Sequence, residues 1–231
     1  KQLKTYPAAY VDSSKKNWID KKNLFSGLDI QIVTPCRWLS GLVKESFLGE
    51  YPVEVIYNGI DDTVFSRTIR KFRIKNGIEN KFMILGVASE WTERKGLKDI
   101  ISLYEKLNPN NYQIVVVGLT EDQLKRIPEG IIAFQRTSNV QELVDIYSSA
   151  DLFFNPTYED NFPTTNIESI ACGTPVLTYR TGGSPEAVGC SNGAVVSPGD
   201  LESVINIIDA IKSEKKEFTV KLNEEFKKSA M

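Results

Sequence analysis

The 231-residue chain carries 28 Lys and Arg against 30 Asp and Glu, a net charge of −2, with 41% hydrophobic and 25% charged residues. That balance suits an ordinary globular protein and lacks the cationic surface that DNA or RNA binding requires, so no nucleic-acid partner is expected. The chain has no histidine, which excludes a Ser-His-Asp triad, a Cys-His dyad and nearly every common zinc site. Cys36, Cys172 and Cys190 form neither a metal-type spacing nor an even disulfide framework and read as free thiols.

In chain order, helical patterning at residues 13–25, a strand at 30–33 and a helix at 37–47 supply too little apolar material for a core of their own. Residues 1–60 therefore read as the remnant of another domain, with a linker turn at Asn58-Gly59-Ile60-Asp61 opening a second domain over 61–231. The basic stretch Arg67, Arg70, Lys71, Arg73 and Lys75 reads as a solvated helix face in preference to a membrane-surface patch. No apolar run reaches the roughly 18 residues of a membrane-spanning helix.

From Phe82 onward, short β-branched runs alternate with helical patterns, as in parallel strands joined by crossover helices. The strands are expected at 82–88, 112–117, 131–134, 152–155, 175–179 and 194–196, and the helices at 97–107, 140–148, 164–172, 201–212 and 217–228. Met83-Ile84-Leu85 and Ile114-Val115-Val116-Val117 are apolar on both faces, which requires helices on both sides of the sheet. The expected fold is α/β, a Rossmann-like doubly wound parallel sheet preceded by a partial α/β segment.

The most informative segment runs from Tyr158 to Glu168, through Asp160-Asn161-Phe162-Pro163-Thr164-Thr165-Asn166. Pro163 suits the first position of a helix, so a helix is expected to open at 162–164 with the N–H groups of Thr164, Thr165 and Asn166 facing phosphate or sugar oxygens. Glu168 falls one turn beyond Thr164 on the same face. Its carboxylate and that of Asp160 can then line one cleft, where each accepts charge-assisted bonds from neighbouring hydroxyls. The competing reading makes Asp160 or Asn161 a helix cap and Glu168 an exposed decoration.

Asp160 and Glu168 are separated by seven positions and followed by Ala171-Cys172-Gly173-Thr174-Pro175-Val176. In this the chain resembles the retaining, nucleotide-sugar-dependent glycosyltransferases with the GT-B fold, the glycosyl transferases group 1 family, of the bacterial surface-polysaccharide type. Residues Val33 to Leu39 and Val55 to Asp61 resemble the end of that family's acceptor domain and its linker. Thr181-Gly182-Gly183-Ser184-Pro185-Glu186 resembles its glycine turn behind the donor site. The chain departs from the family pattern in carrying Asp160 for the usual first glutamate, and Glu90 where an arginine usually stands.

The resemblance implies that residues 61–231 form the donor-binding C-terminal domain and 1–60 the tail of the N-terminal domain. It implies transfer of a sugar, with retention, from a nucleoside diphosphate sugar to a saccharide or lipid-linked saccharide acceptor, without cofactor or metal ion. Asp160 would face the donor sugar and Glu168 the ribose, so Asp160 should matter to the sugar-bearing donor and little to the plain nucleotide. Lys95 and Arg94 would meet the diphosphate, where cations stabilise the charge of the leaving group. Lys95, Asp160 and Glu168 are the candidate catalytic residues. Ser89, Arg136, Thr137, Phe162, Pro163, Thr164 and Thr165 join Arg94 and these three as candidate substrate contacts, with the Arg136-Thr137-Ser138-Asn139 loop beside the nucleobase. Trp91 and Phe134 offer rings for stacking, although packing is commoner for aromatics beside strands. The isolated chain is expected to bind the donor without turning it over. The implied setting is capsule or lipopolysaccharide synthesis in the cytoplasm, at the inner face of the membrane, with any membrane contact made through the N-terminal domain.

Two alternatives stand beside this reading. One is a module that binds a nucleotide sugar without transferring it. The other is a dinucleotide-dependent oxidoreductase, which would need a Gly-x-Gly-x-x-Gly turn that Gly86-Val87-Ala88-Ser89 does not supply.

Overall fold

The computed structural model describes residues 12–228, and the chain divides into two units between Tyr57 and Asn58. The first holds α1 (Ser14–Phe25), β1 (Ile32–Thr34), α2 (Arg37–Lys44), a 3-10 turn (Phe47–Glu50) and β2 (Val53–Val55). β1 and β2 pair in parallel, Ile32 opposite Val53. The sequence reading has no counterpart of β2, because three residues are too few for alternation to show. It also carries α2 on to residue 47, whereas the helix stops at Lys44 and Ser46 caps the separate 3-10 turn. The unit has little core: α1 buries no residue, and Trp18, Leu24, Trp38 and Leu42 are exposed.

The second unit follows with α3 (Lys71–Asn76), β3 (Phe82–Val87), α4 (Leu97–Lys106), β4 (Tyr112–Val117), α5 (Glu121–Leu124), β5 (Ile132–Phe134) and α6 (Val140–Ser149). It continues with β6 (Leu152–Asn155), α7 (Thr164–Ala171), β7 (Val176–Tyr179), α8 (Ser184–Val188), β8 (Gly193–Val196) and α9 (Leu201–Lys212). The six strands form one sheet in the order β5-β4-β3-β6-β7-β8, every neighbouring pair parallel. Side chains alternate between two cores, since successive strand residues point to opposite faces. Ile84, Ile114, Phe154 and Leu177 pack with Ile100 and Leu103 of α4 and Val204 and Ile208 of α9. Met83, Leu85, Val115, Phe153 and Val176 pack with Val144 and Tyr147 of α6 and Ile170 of α7. This is the expected doubly wound sheet. No helix among the described residues is long and apolar enough to cross a membrane.

One expectation fails and two points of the reading need amending. Residues 217–228 form no α-helix: the chain is extended and ends in a 3-10 turn (Glu224–Phe226). Val220 and Leu222, two positions apart, both pack on the core, and a period of two demands an extended chain. The segment is pinned by Ile60, whose N–H donates to Phe226 at 2.9 Å and whose carbonyl accepts from Lys228 at 2.8 Å. Second, Arg67, Arg70, Lys71 and Lys75 of the basic stretch are exposed, as a solvated face should be, but Arg73 is not. Arg73 pairs with Asp151 and donates to the carbonyls of Ser149 at 2.6 Å and Lys81 at 3.2 Å, fastening α3 to the amino edge of the sheet. Third, the short helices α5 and α8 went unread, although Thr120 and Gln123 form a reciprocal capping box at the start of α5.

Candidate functional site

β3 and β6 lie side by side, and the chain winds outward from them in opposite directions. In open α/β sheets a crevice opens at the carboxyl ends of the strands where the order reverses. Here it is a cleft of about 470 Å³. Val87 lines it at the end of β3 and Ala88, Ser89, Trp91 and Lys95 beyond it, Val117 and Gly118 at the end of β4, Gln135, Arg136 and Thr137 after β5, and Asn155 at the end of β6. Asp160, Phe162, Pro163, Thr164, Thr165 and Glu168 close it from the segment that leads into α7.

That segment is held from two sides. On one, the 3-10 turn Glu93–Lys95 presents the Arg94 carbonyl to the N–H of Tyr158 at 2.7 Å. Gly96 follows at φ +76°, and a Cβ there would lie 2.2 Å from the Pro156 carbonyl oxygen. On the other, Thr181 Oγ1 donates to the Thr157 carbonyl at 2.7 Å and the Gly183 N–H to that of Asn161 at 2.9 Å. Gly182, at φ +51°, has its Cα so close behind Asp160 that a Cβ would come within 1.7 Å of that residue's carbonyl oxygen. Only glycine meets both demands. The glycine turn thus sets the position of the Asp160 backbone.

Lys95 Nζ donates to Asp160 Oδ2 at 2.5 Å, an ion pair between residues 65 positions apart. Glu168 lines the same cleft from α7. Tyr147 Oη donates to its Oε2 at 3.0 Å, and Thr164 adds a side-chain hydrogen bond from the first turn of α7. Burial pushes the Glu168 carboxyl above its ordinary value, opposed by those two bonds. Burial first, and then the neighbouring Glu168 carboxylate, push the Tyr147 phenol well above 10, so it remains a donor. Burial likewise raises the Cys172 thiol to about 12.

α7 begins at Thr164 with Pro163 as its N-cap and no side-chain cap. Pro163 therefore sits one position earlier than expected, and neither Asp160 nor Asn161 caps the helix. The Asn166 N–H is taken by the Pro163 carbonyl at 3.2 Å, which leaves Thr164 and Thr165 as the N–H groups without a helical acceptor.

Of the sequence-selected residues, Ser89, Lys95, Arg136, Thr137, Asp160, Phe162, Pro163, Thr164, Thr165 and Glu168 all line this one cleft. Arg94 does not. Neighbours on a 3-10 turn project about a third of a turn apart, and Arg94 points to Glu159 at 3.6 Å on the exposed rim while Lys95 points inward. Trp91 forms wall, with 3% exposure and its indole N–H bound to the Val117 carbonyl at 2.8 Å. Phe134 packs on Phe72 at 6.0 Å. Asn139 caps α6 through the Glu142 N–H at 2.9 Å. Sequence reading missed Gln135, Asn155 and Gly118, all of which stand at carboxyl ends of strands it had located.

A family model described as glycosyl transferases group 1 matches residues 68–230. D-inositol 3-phosphate glycosyltransferase of Corynebacterium jeikeium is 25% identical over 203 residues, covering 79% of this chain and 48% of that protein. Sulfoquinovosyl transferase of Arabidopsis thaliana is 23% identical over 216 residues, covering 87% of this chain and 42% of that protein. The chain thus spans about half the length of these curated relatives. Among solved structures, HepE of Anabaena in complex with UDP superposes with a TM-score of 0.75 at 20% identity, over 90% of this chain and 60% of that one. WaaG, a glycosyltransferase involved in lipopolysaccharide biosynthesis, superposes with a TM-score of 0.68 at 20% identity, over 82% and 56%. These likenesses match the fold of a GT-B glycosyltransferase domain, and the family match extends through the second unit from Thr68: the chain belongs to the glycosyl transferases group 1 family.

Proposed function

We propose that the second unit binds the donor of a retaining glycosyltransferase, which moves a sugar from a nucleoside diphosphate sugar to a saccharide acceptor. The observation that carries this reading is the convergence of Lys95, Asp160 and Glu168 on one cleft at the switch point, beside the amino end of α7. Glu168 accepts from the ribose hydroxyls and Asp160 from those of the donor sugar. As the glycosidic bond breaks, charge gathers on the diphosphate, and the Lys95 ammonium with the first N–H groups of α7 offsets it more in the transition state than in the ground state. These groups supply the positive field, so the proposal includes neither cofactor nor metal ion. Ser89, Arg136, Thr137, Phe162 and Pro163 complete the donor contacts, and Arg94 holds the Glu159 rim instead of the diphosphate.

HepE is described in complex with UDP-glucose, which supports a nucleotide sugar as the ligand class. The wording of the motifs, Trp91 with Arg94-Lys95-Gly96 and Asp160 to Thr164, supports bacterial capsule or lipopolysaccharide synthesis, on the cytoplasmic side of the membrane. The acceptor, saccharide or lipid-linked, would meet the opposing domain, which also excludes water from the reaction.

Calorimetric titration of the 231-residue chain with a panel of nucleoside diphosphates and their sugars tests the proposal. At least one diphosphate and its sugar should bind, without a transfer product on mass spectrometry until the opposing domain is supplied. Absence of binding across the panel would overturn the donor reading; efficient transfer by this chain alone would overturn the division of labour.

A further inference from the structure

Tyr147 lies outside the cleft and is completely buried. Its ring packs edge-on against Phe153 of β6, 5.6 Å between centroids, and its backbone carbonyl accepts from Thr174 Oγ1 at 2.6 Å. The residue is therefore anchored at both ends by core and backbone. Its one polar group reaches across from α6 to Glu168 Oε2 on α7, at 3.0 Å. A buried phenol without a partner would be costly, and so would a buried carboxylate; each here satisfies the other.

We propose that Tyr147 is a positioning residue for nucleotide binding: its hydroxyl fixes one oxygen of the Glu168 carboxylate and leaves the other, ionised, to the ribose hydroxyls. This rests on the reading of Glu168 as the ribose acceptor. The groups that face Glu168 are few. Tyr147 comes from α6, Thr164 from its own helix and Cys172 from the cap that ends it, and the other charged side chains of the cleft are Lys95, Asp160 and Arg136. Only the hydroxyls of Tyr147 and Thr164 oppose the cost of burying the charge. Ribose hydroxyls would also favour the ionised form. Affinity is then full above the carboxyl's pKa in the empty cleft and falls as pH drops through it. Removing the phenol raises that pKa, so the fall begins at higher pH.

The test is Tyr147→Phe, which keeps the ring and deletes the hydroxyl, in the 231-residue chain titrated with uridine and guanosine diphosphates across pH. Affinity at neutral pH should fall by about tenfold and the midpoint of the pH profile should rise by roughly one unit, both corresponding to one charge-assisted bond. Carbon NMR of the Glu168 carboxyl in the empty protein should show the same upward movement. Installing 3-fluorotyrosine at position 147, a stronger donor on the same ring, should move the midpoint down and keeps the test open if Tyr147→Phe fails to fold. An unmoved midpoint in the folded variants, even with weaker binding, would reduce Tyr147 to packing and overturn the inference. Failure of the underlying reading is distinct: it would appear as Glu168→Gln leaving both affinity and pH profile unchanged.

Discussion

Two ion pairs stand at opposite edges of the same sheet. At the amino edge, Arg73 spends its guanidinium on Asp151 and on the carbonyls of Ser149 and Lys81, while Asp151 also accepts the Met83 N–H at 2.8 Å. The Arg73 side chain is only 11% exposed, and the pair ties together α3, β3 and the turn before β6. At the carboxyl edge, Lys95 and Asp160 hold one another in an open cleft, their side chains 32% and 16% exposed. A pair whose partners are consumed by backbone is a fastening. A pair with donor and acceptor capacity facing a cleft can exchange partners with a ligand. The charges are alike; their surroundings commit one pair to the backbone and leave the other facing a cleft.

The sharpest way to break this contrast is Asp151→Ala, which strands the Arg73 charge and the Met83 N–H together. Unfolding by denaturant should show a loss of about 3 kcal/mol, with nucleotide affinity retained by the molecules that remain folded. A loss confined to binding would reverse the assignment of the two edges.

Gly182→Ala comes next. The Cβ it introduces would collide with the Asp160 carbonyl at a left-handed φ, so the Asp160 backbone must shift. Stability should fall by about 2 kcal/mol, and calorimetry should find sugar-donor affinity reduced more than that of the plain diphosphate. Unaltered donor binding would separate the glycine turn from the site.

Glu168→Gln separates stability from function. The Glu168 carboxyl is raised in the fold by burial, so the folded state binds its proton more tightly than the unfolded chain does. Glu168 therefore favours folding below its ordinary titration range, and that contribution disappears as pH rises through the raised value. Replacing it with Gln should raise the melting temperature at neutral pH relative to wild type. It should also weaken the nucleotide by about 1.5 kcal/mol or more and flatten the acid side of the binding profile. Lower stability at neutral pH would contradict this account of the buried charge.

The smallest effect is expected at Asp160→Asn, and here the structure changes the expectation drawn from sequence. Asp160 holds Lys95, so its neutralisation frees the ammonium for the diphosphate. The plain diphosphate should bind roughly threefold more tightly, about 0.7 kcal/mol for a partly exposed pair, while the sugar-bearing donor loses its advantage over it. Equal shifts for both ligands in parallel titrations would remove Asp160 from the sugar subsite.

The strands were legible because burial on both faces leaves continuous apolar runs such as Ile114 to Val117, and most of the crossover helices carry a clear apolar stripe. Residues 217–228 were misread because their conformation is imposed from outside, by pairing with Ile60 and by burial of Val220 and Leu222. The cleft was partly legible for a related reason. Asp160 to Glu168 is one continuous segment at a helix start, and Lys95 follows a strand at the expected edge. Tyr147 behind Glu168 carries no local signal, since it acts on a residue more than twenty positions away, whereas the Gly182-Gly183 turn is legible as a turn but its contact with the Asp160 carbonyl is not.

What the sequence by itself determined was therefore the class of sheet and the placing of Asp160 and Glu168 together at the carboxyl edge, in one cleft at a helix start, because apolar period and helix-start chemistry are local properties. Tertiary structure alone decided that Lys95 faces the cleft while Arg94 faces its rim, that Asp160 is held by Lys95 rather than capping a helix, and that Glu168, half-buried, accepts from a phenol. Direction, pairing and burial are set by which distant segments pack together, and no single stretch of chain encodes them.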